Sequence, residues 1–250
     1  MRGASDGTAC EASVAQYAPR ALAGMVVTIE GTICAGKTTL GKSLCRFLSS
    51  AGYDARFFEE DIDSAHLRRF MQDPAARAVE FQTDVMRRRN DIIDAAARWV
   101  IDSHGSGLAL VDRGNVGDLV FMMVNCEVHK LPYASTLQYL SELLSRANKT
   151  LPPSAYLTLY LRTSRERAYA RYLERVGPDR EKFRYDVDYF ERLEQTHDRC
   201  FRSVVRGVEL NGDELVFDGA TMISKSDLSG ILRKLESKCL SLFNGAPTLS

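Results

Sequence analysis

The stretch VVTIEGTICAGKTTLGKSL, Val26 to Leu44, joins a β-branched apolar run to a glycine-framed loop and then to a helix-forming run. Inside it, Gly31-Thr-Ile-Cys-Ala-Gly36-Lys37-Thr38 fits G-x-x-x-x-G-K-[ST] at every fixed position. Glycines let backbone N–H groups turn inward around a phosphate, and the helix behind the loop adds the partial positive charge of its N-terminus. Lys37 is placed to bridge the terminal phosphates of a nucleotide, and Thr38 to put its hydroxyl on Mg²⁺. The expected nucleotide contacts are Gly31, Thr32, Ile33, Cys34, Ala35, Gly36, Lys37, Thr38 and Thr39. Cys34 reads as a small filler of this loop rather than as a reactive thiolate.

Outward from the loop, short β-type runs alternate with long helical patterns. This predicts an α/β fold, a five-stranded parallel sheet with helices on both faces. The candidate strands are 25–30, 54–58, 108–112, 155–161 and 214–218. The candidate helices are 37–50, 75–104, 116–125, 134–148, 164–175, 187–206 and 225–242. Residues 1–24 are small and polar and read as a flexible N-terminal extension. A single domain is expected over 25–245, with a lid near 164–186.

The chain has 250 residues, with 33 basic and 33 acidic side chains in balance. Nothing in that balance calls for nucleic acid or a membrane surface as partner. No apolar run approaches the ~20 residues of a membrane span. The six cysteines form no CxxC pair, which points to reduced thiols and an intracellular, most simply cytoplasmic, setting; a mitochondrial or viral-host one stays open.

A phosphate loop does not name the acceptor. The guanine-reading Asn-Lys-x-Asp is not met, because Asn148-Lys149 is followed by Thr150-Leu151 and precedes its strand. A motor would normally need a longer chain. A small-molecule kinase using ATP and Mg²⁺ leads.

Three later features bear on the acceptor. FFEEDID puts Glu59, Glu60 and Asp61 at the end of the second strand, on the sheet edge where ligands gather, so an acid there can take a hydroxyl proton. VDRG puts Asp112 and Arg113 at the end of the third, where a carboxylate can hold Mg²⁺ and an arginine can reach the phosphoryl group or lock a neighbouring acid. EFQTDVMRRR carries Gln82, Val85 and Arg89 on one helix face, beside Phe81, as a planar polar ligand would need, and Asp118 is placed to pair with Arg89. Solvated acidic or basic faces are the plain alternatives for each.

With these residues in order, the chain resembles the deoxynucleoside kinase family, the cellular and herpesviral-type deoxycytidine, deoxyguanosine and thymidine kinases. IEGTICAGKTT, the acid after strand two, DP…EFQ…R, VDRG…D and YLRTSRERAYARYLER carry the resemblance. It implies that Glu60, with Glu59 as the one-residue alternative, is the base on the substrate 5′-hydroxyl. It implies that Phe81 and Gln82 read the nucleobase, that Arg113 acts beside Asp112, and that Arg171 and Arg175 of a lid helix clamp the donor phosphates. Glu181 is the lid acid implied at the sugar. The Arg89/Asp118 pair implies deoxycytidine or a purine deoxynucleoside ahead of thymidine. A homodimer is implied by analogy.

The chain also departs from the family pattern. Glu60-Asp61 stands where Glu-Pro is usual, Phe70-Met71 where a sugar-contacting tyrosine is expected, and Arg77 where an aromatic is expected. Two rivals stay open here: a thymidylate-type nucleoside monophosphate kinase, and a regulatory nucleotide-binding module without transfer chemistry.

Overall fold

The computed structural model describes residues 21–146, 150–177, 185–204, 206–215, 217–218 and 222–244. In chain order the elements are β1 (Met25–Glu30), α1 (Lys37–Ser50), β2 (Asp54–Phe58), α2 (Ser64–Gln72), α3 (Pro74–Asp102), β3 (Gly107–Asp112), α4 (Asn115–His129), α5 (Tyr133–Arg146), β4 (Tyr156–Arg162), α6 (Arg165–Val176), α7 (Val187–Phe201), β5 (Gly207–Asn211), β6 (Phe217–Asp218), β7 (Met222–Ile223) and α8 (Lys225–Asn244).

The main sheet is five-stranded and all parallel, in the order β2-β3-β1-β4-β5. Successive side chains of a strand point to opposite faces, and β1 uses both. Val27 and Ile29 join Leu40, Leu44 and Leu48 of α1 and Leu228, Leu232 and Leu235 of α8 in one buried layer. Val26, with Ala109 and Val111 of β3, packs on Ile93, Ala96, Ala97 and Val100 of α3. Covering both faces is what makes the central strands continuously apolar. Chain order reverses around β1, which opens a crevice at the C-terminal ends of β1, β2 and β3. Register places Ile29 beside Asp112 and Phe58 beside Val111, so the loop after β1 and the acids after β2 and β3 meet at that edge.

Helix starts follow the local chemistry. The Asp63 carboxylate accepts from the N–H groups of Ala65 and His66 to start α2. Asp73 accepts from Ala76 N–H to start α3, which has Pro74 at its first position.

The structure corrects four expectations. The fifth sheet strand is Gly207–Asn211, not 214–218; Phe217–Asp218 instead pairs antiparallel with Met222–Ile223 outside the sheet. GVELN is an edge strand that buries only Val208 and Leu210, so its apolar signal is weaker than that of the ELVFD run downstream. The preceding helix ends at Phe201 rather than at residue 206. The short helix α2 was not expected, because its amphipathic pattern is only nine residues long. Of residues 1–24, expected as an extension, 1–20 lie outside the described residues and the rest pack on the domain: Leu22 is fully buried in the core, and Ala21 O accepts from Cys239 Sγ at 3.0 Å.

Candidate active site

Gly31 leaves β1 at φ 153°, and a Cβ there would lie 2.7 Å from Leu161 O, so no larger residue fits without moving β4. Gly36 caps α1 at φ 103°, again a glycine conformation. The outward carbonyls of the loop face cations. Lys37 Nζ donates to Thr32 O at 2.7 Å, Arg113 Nη1 to Gly31 O at 3.0 Å, and Arg171 Nη1 to Ala35 O at 2.9 Å and Cys34 O at 3.4 Å. Lys37 is buried, and desolvation, reinforced by Arg113, lowers its pKa to about 8. Thr38 Oγ1 donates to Asp112 Oδ2. Asp112 Oδ1 is buried and has no hydrogen-bond partner among the described residues.

The two candidate acids after β2 point apart. Glu59 turns to solvent and pairs with Lys42 at 2.9 Å. Glu60 turns inward, where its Oε1 accepts from Arg89 Nη2 at 2.7 Å and from Arg113 Nε at 3.2 Å. Burial alone would push this carboxyl up, but the guanidiniums of Arg113 and Arg89, with Lys37 beyond them, hold it at about 2. Arg113 thus ties Glu60 to the backbone of the phosphate loop. It does so from a left-handed backbone, φ 72°, with its guanidinium 4.8 Å above the Phe121 ring. Such strain in a non-glycine residue persists only where the surroundings hold it.

On α3, Phe81 stacks on Phe70 at 4.7 Å and 8°. A group of buried polar side chains lies beside this pair. Gln82 Nε2 donates to Asp118 Oδ1 at 3.2 Å, Arg89 Nε to Asp118 Oδ2 at 2.9 Å, and Arg89 Nη1 to Asp112 O at 3.3 Å. Burial raises the Asp118 pKa against the opposing pull of Arg89 beside it, and both carboxyl oxygens accept hydrogen bonds. Val85 lies on the same apolar patch as Phe70 and Phe81.

The arginines along α6 divide. Arg171 reaches the loop, Arg167 Nη1 donates to Asp213 O, and Arg175 is exposed. Glu181, with Arg180 and Arg184, lies outside the described residues. Ile33 and Cys34 pack against the Ala168, Tyr172 and Phe190 cluster of α6 and α7. Thr39 lies on the first turn of α1.

Sequence reading missed Glu30, the last residue of β1. Its Oε1 accepts from the N–H groups of Gly114 at 2.9 Å and Gly117 at 3.0 Å, so it anchors the start of α4, which carries Asp118. Burial raises its pKa, and its Oε2 has no partner among the described residues. The signal was an acid closing an otherwise apolar central strand. His197, buried between Tyr160 and Phe121, is a core group; burial and nearby Arg113 hold it neutral, down at about 3.

A family model described as deoxynucleoside kinase matches residues 27–235. No curated protein matches the chain. The fold is similar to that of deoxyadenosine kinase from M. mycoides with bound dCTP, at a TM-score of 0.64 and 19% identity, covering 85% of this chain and 100% of that one. The same enzyme with bound dATP gives 0.62 and 20%, covering 84% and 99%.

Proposed function

The chain belongs to the deoxynucleoside kinase family, and from that premise we propose that it moves the γ-phosphoryl group of ATP to the 5′-hydroxyl of a deoxynucleoside, with deoxycytidine and purine deoxynucleosides favoured over thymidine. The observation that carries this reading is Arg113. It donates to Gly31 O of the phosphate loop and to Glu60 of the acceptor side, and this direct link between the two supports reading them as parts of one site.

In this reading the substrate 5′-oxygen forms the new bond to the γ-phosphorus, the bond to the ADP oxygen breaks, and the hydroxyl proton passes to Glu60. Both arginines hold Glu60 through Oε1, which leaves Oε2 as the acceptor. A carboxylate held near 2 is a weak base, but it is ionised at neutral pH. A hydroxyl grows acidic only as its bond to phosphorus forms, so late proton transfer suits such a base. Lys37, Arg113 and Arg171 supply positive charge around the transferring group. Gln82, fixed by Asp118, presents Oε1 and one N–H to a base edge, with Phe81 alongside.

Thr38 and Asp112 fit Mg²⁺: a hydroxyl and an orphaned carboxylate oxygen are hard oxygen donors, and the described residues offer no larger acid cage. When bound with the nucleotide, the ion would neutralise charge on the β- and γ-phosphate oxygens. The homodimer rests on family analogy.

A transfer assay with ATP across the four deoxynucleosides and thymidylate tests the reading. Nucleoside-dependent ADP release with deoxycytidine or a purine deoxynucleoside is the expected result. Thymidylate as the only acceptor makes the chain a monophosphate kinase, and ATP binding without any acceptor-dependent release makes it a regulatory module.

A further inference from the structure

Two neighbouring arginines of α3 grip two neighbouring acids of the β2–α2 loop. Arg89 takes Glu60 on the inner side; Arg88 takes Asp61 on the outer side, at 3.0 Å from Nη1. One guanidinium there serves three carboxylates. Besides Asp61, Arg88 reaches Asp84 through Nε at 3.0 Å and Asp63 through Nη2 at 3.7 Å. Asp63 is the residue whose carboxylate caps α2. Asp84 also contacts His66 Nδ1 at 3.2 Å, and the His66 ring stands edge-on to Phe81 at 5.6 Å.

We propose that Arg88 is a positioning residue. It holds the loop that carries Glu60 in register with the helix that carries Phe81 and Gln82, and it steadies Phe81 through Asp84 and His66. The proposal rests on the reading of Glu60 and Phe81 as acceptor-side groups. It explains a local need. The segment from Glu59 to Asp63 lies between β2 and α2, outside any strand or helix, and Glu60 needs a fixed backbone to keep Oε2 aimed at a substrate. An isolated exposed ion pair is weak. A fork shared among loop, helix cap and its own helix closes a small network instead, where pairs couple. Arg88 is only partly buried and Asp61 is exposed, so salt screens this outer staple far more than the buried Arg89–Asp118 contact.

The test uses the full chain with Arg88→Met, Asp61→Asn and the double variant. Nucleoside kcat/KM is expected to fall about tenfold in Arg88→Met and less in Asp61→Asn, with the double variant no worse than Arg88→Met and the KM for ATP unchanged. Arg88→Lys should recover part of the loss. At about 0.5 M KCl the wild type should approach Arg88→Met in relative kcat/KM, while the variant changes less. Hydrogen exchange is read on the same proteins: the amides of Ala65, His66 and Leu67 should exchange faster in Arg88→Met. Unaltered kinetics, purely additive losses, or unaltered exchange in that segment would overturn the positioning role. A wild type without acceptor-dependent transfer would overturn the kinase reading, and the exchange result would still decide whether Arg88 orders the loop.

Discussion

Glu60 and Arg89 meet through a single carboxylate oxygen at 2.7 Å, so the acid most exposed to positive charge in the cleft still has its other oxygen to offer. Glu60→Ala should therefore lower kcat by about 10²–10⁴ while leaving ATP affinity nearly intact. Steady-state kinetics beside an ATP titration checks this; near-normal turnover would remove Glu60 from the mechanism.

The pH behaviour of the same group has a defined sign. Its folded pKa is depressed to about 2 from the ordinary 4.5, so its pairing stabilises the fold fully above 4.5 and that contribution drains away as pH falls through about 2. Thermal unfolding of wild type and Glu60→Gln from pH 5 to pH 2 should converge only near the bottom of that range. The acid limb of kcat/KM should show no Glu60 titration between pH 4 and 5.

Lys37 works at the other end of the scale. In the unliganded chain its pKa is lowered to about 8, so between there and 10.5 the folded chain has lost a proton that the unfolded chain keeps, and stability from this group rises with pH. Nucleotide phosphates should restore the charge. Calorimetry of ATP binding at pH 8.5 in buffers of different ionisation enthalpy should show proton uptake, and Lys37→Met should abolish it.

Asp118 and Arg89 are both buried; among the described residues, removing Arg89 leaves the Asp118 carboxyl with no cation bonded to it, and removing Asp118 leaves Arg89 with Glu60 as its one carboxylate partner. Asp118→Ala should cost about 3–5 kcal/mol of stability, and Arg89→Met with Asp118→Ala clearly less than the sum of the singles. Urea unfolding measures this. The double variant should also raise thymidine relative to deoxycytidine in kcat/KM, because the polar wall beside Gln82 is gone; an unchanged ratio would detach this pair from base selection.

Thr38→Ala should raise the Mg²⁺ concentration for half-maximal activity by about tenfold or more, since it removes one of two oxygen donors beside the loop. A magnesium titration at saturating ATP reads it directly.

Most of this arrangement was legible because the relevant signals are local. Gly31, Gly36, Lys37 and Thr38 declare themselves by spacing, and the short apolar runs VVTIE and LALVD mark the central strands. Which of Glu59 and Glu60 turns inward was not legible: consecutive residues leaving a strand point opposite ways, and the directions depend on Lys42 and Arg89, far off in sequence or on another helix. The edge strand GVELN was missed for a related reason, since a strand with one neighbour needs few apolar residues. Glu30 escaped because its partners are backbone amides more than eighty residues away, which no side-chain pattern announces.

The clasp of Lys37, Arg113 and Arg171 on the loop carbonyls has a thermodynamic corollary. A hinge-free receptor has already surrendered its conformational entropy during folding, so capturing a triphosphate should demand little extra ordering from residues 31–38. Binding there should proceed with little rearrangement of the loop backbone, leaving the cradle itself a spectator to induced fit.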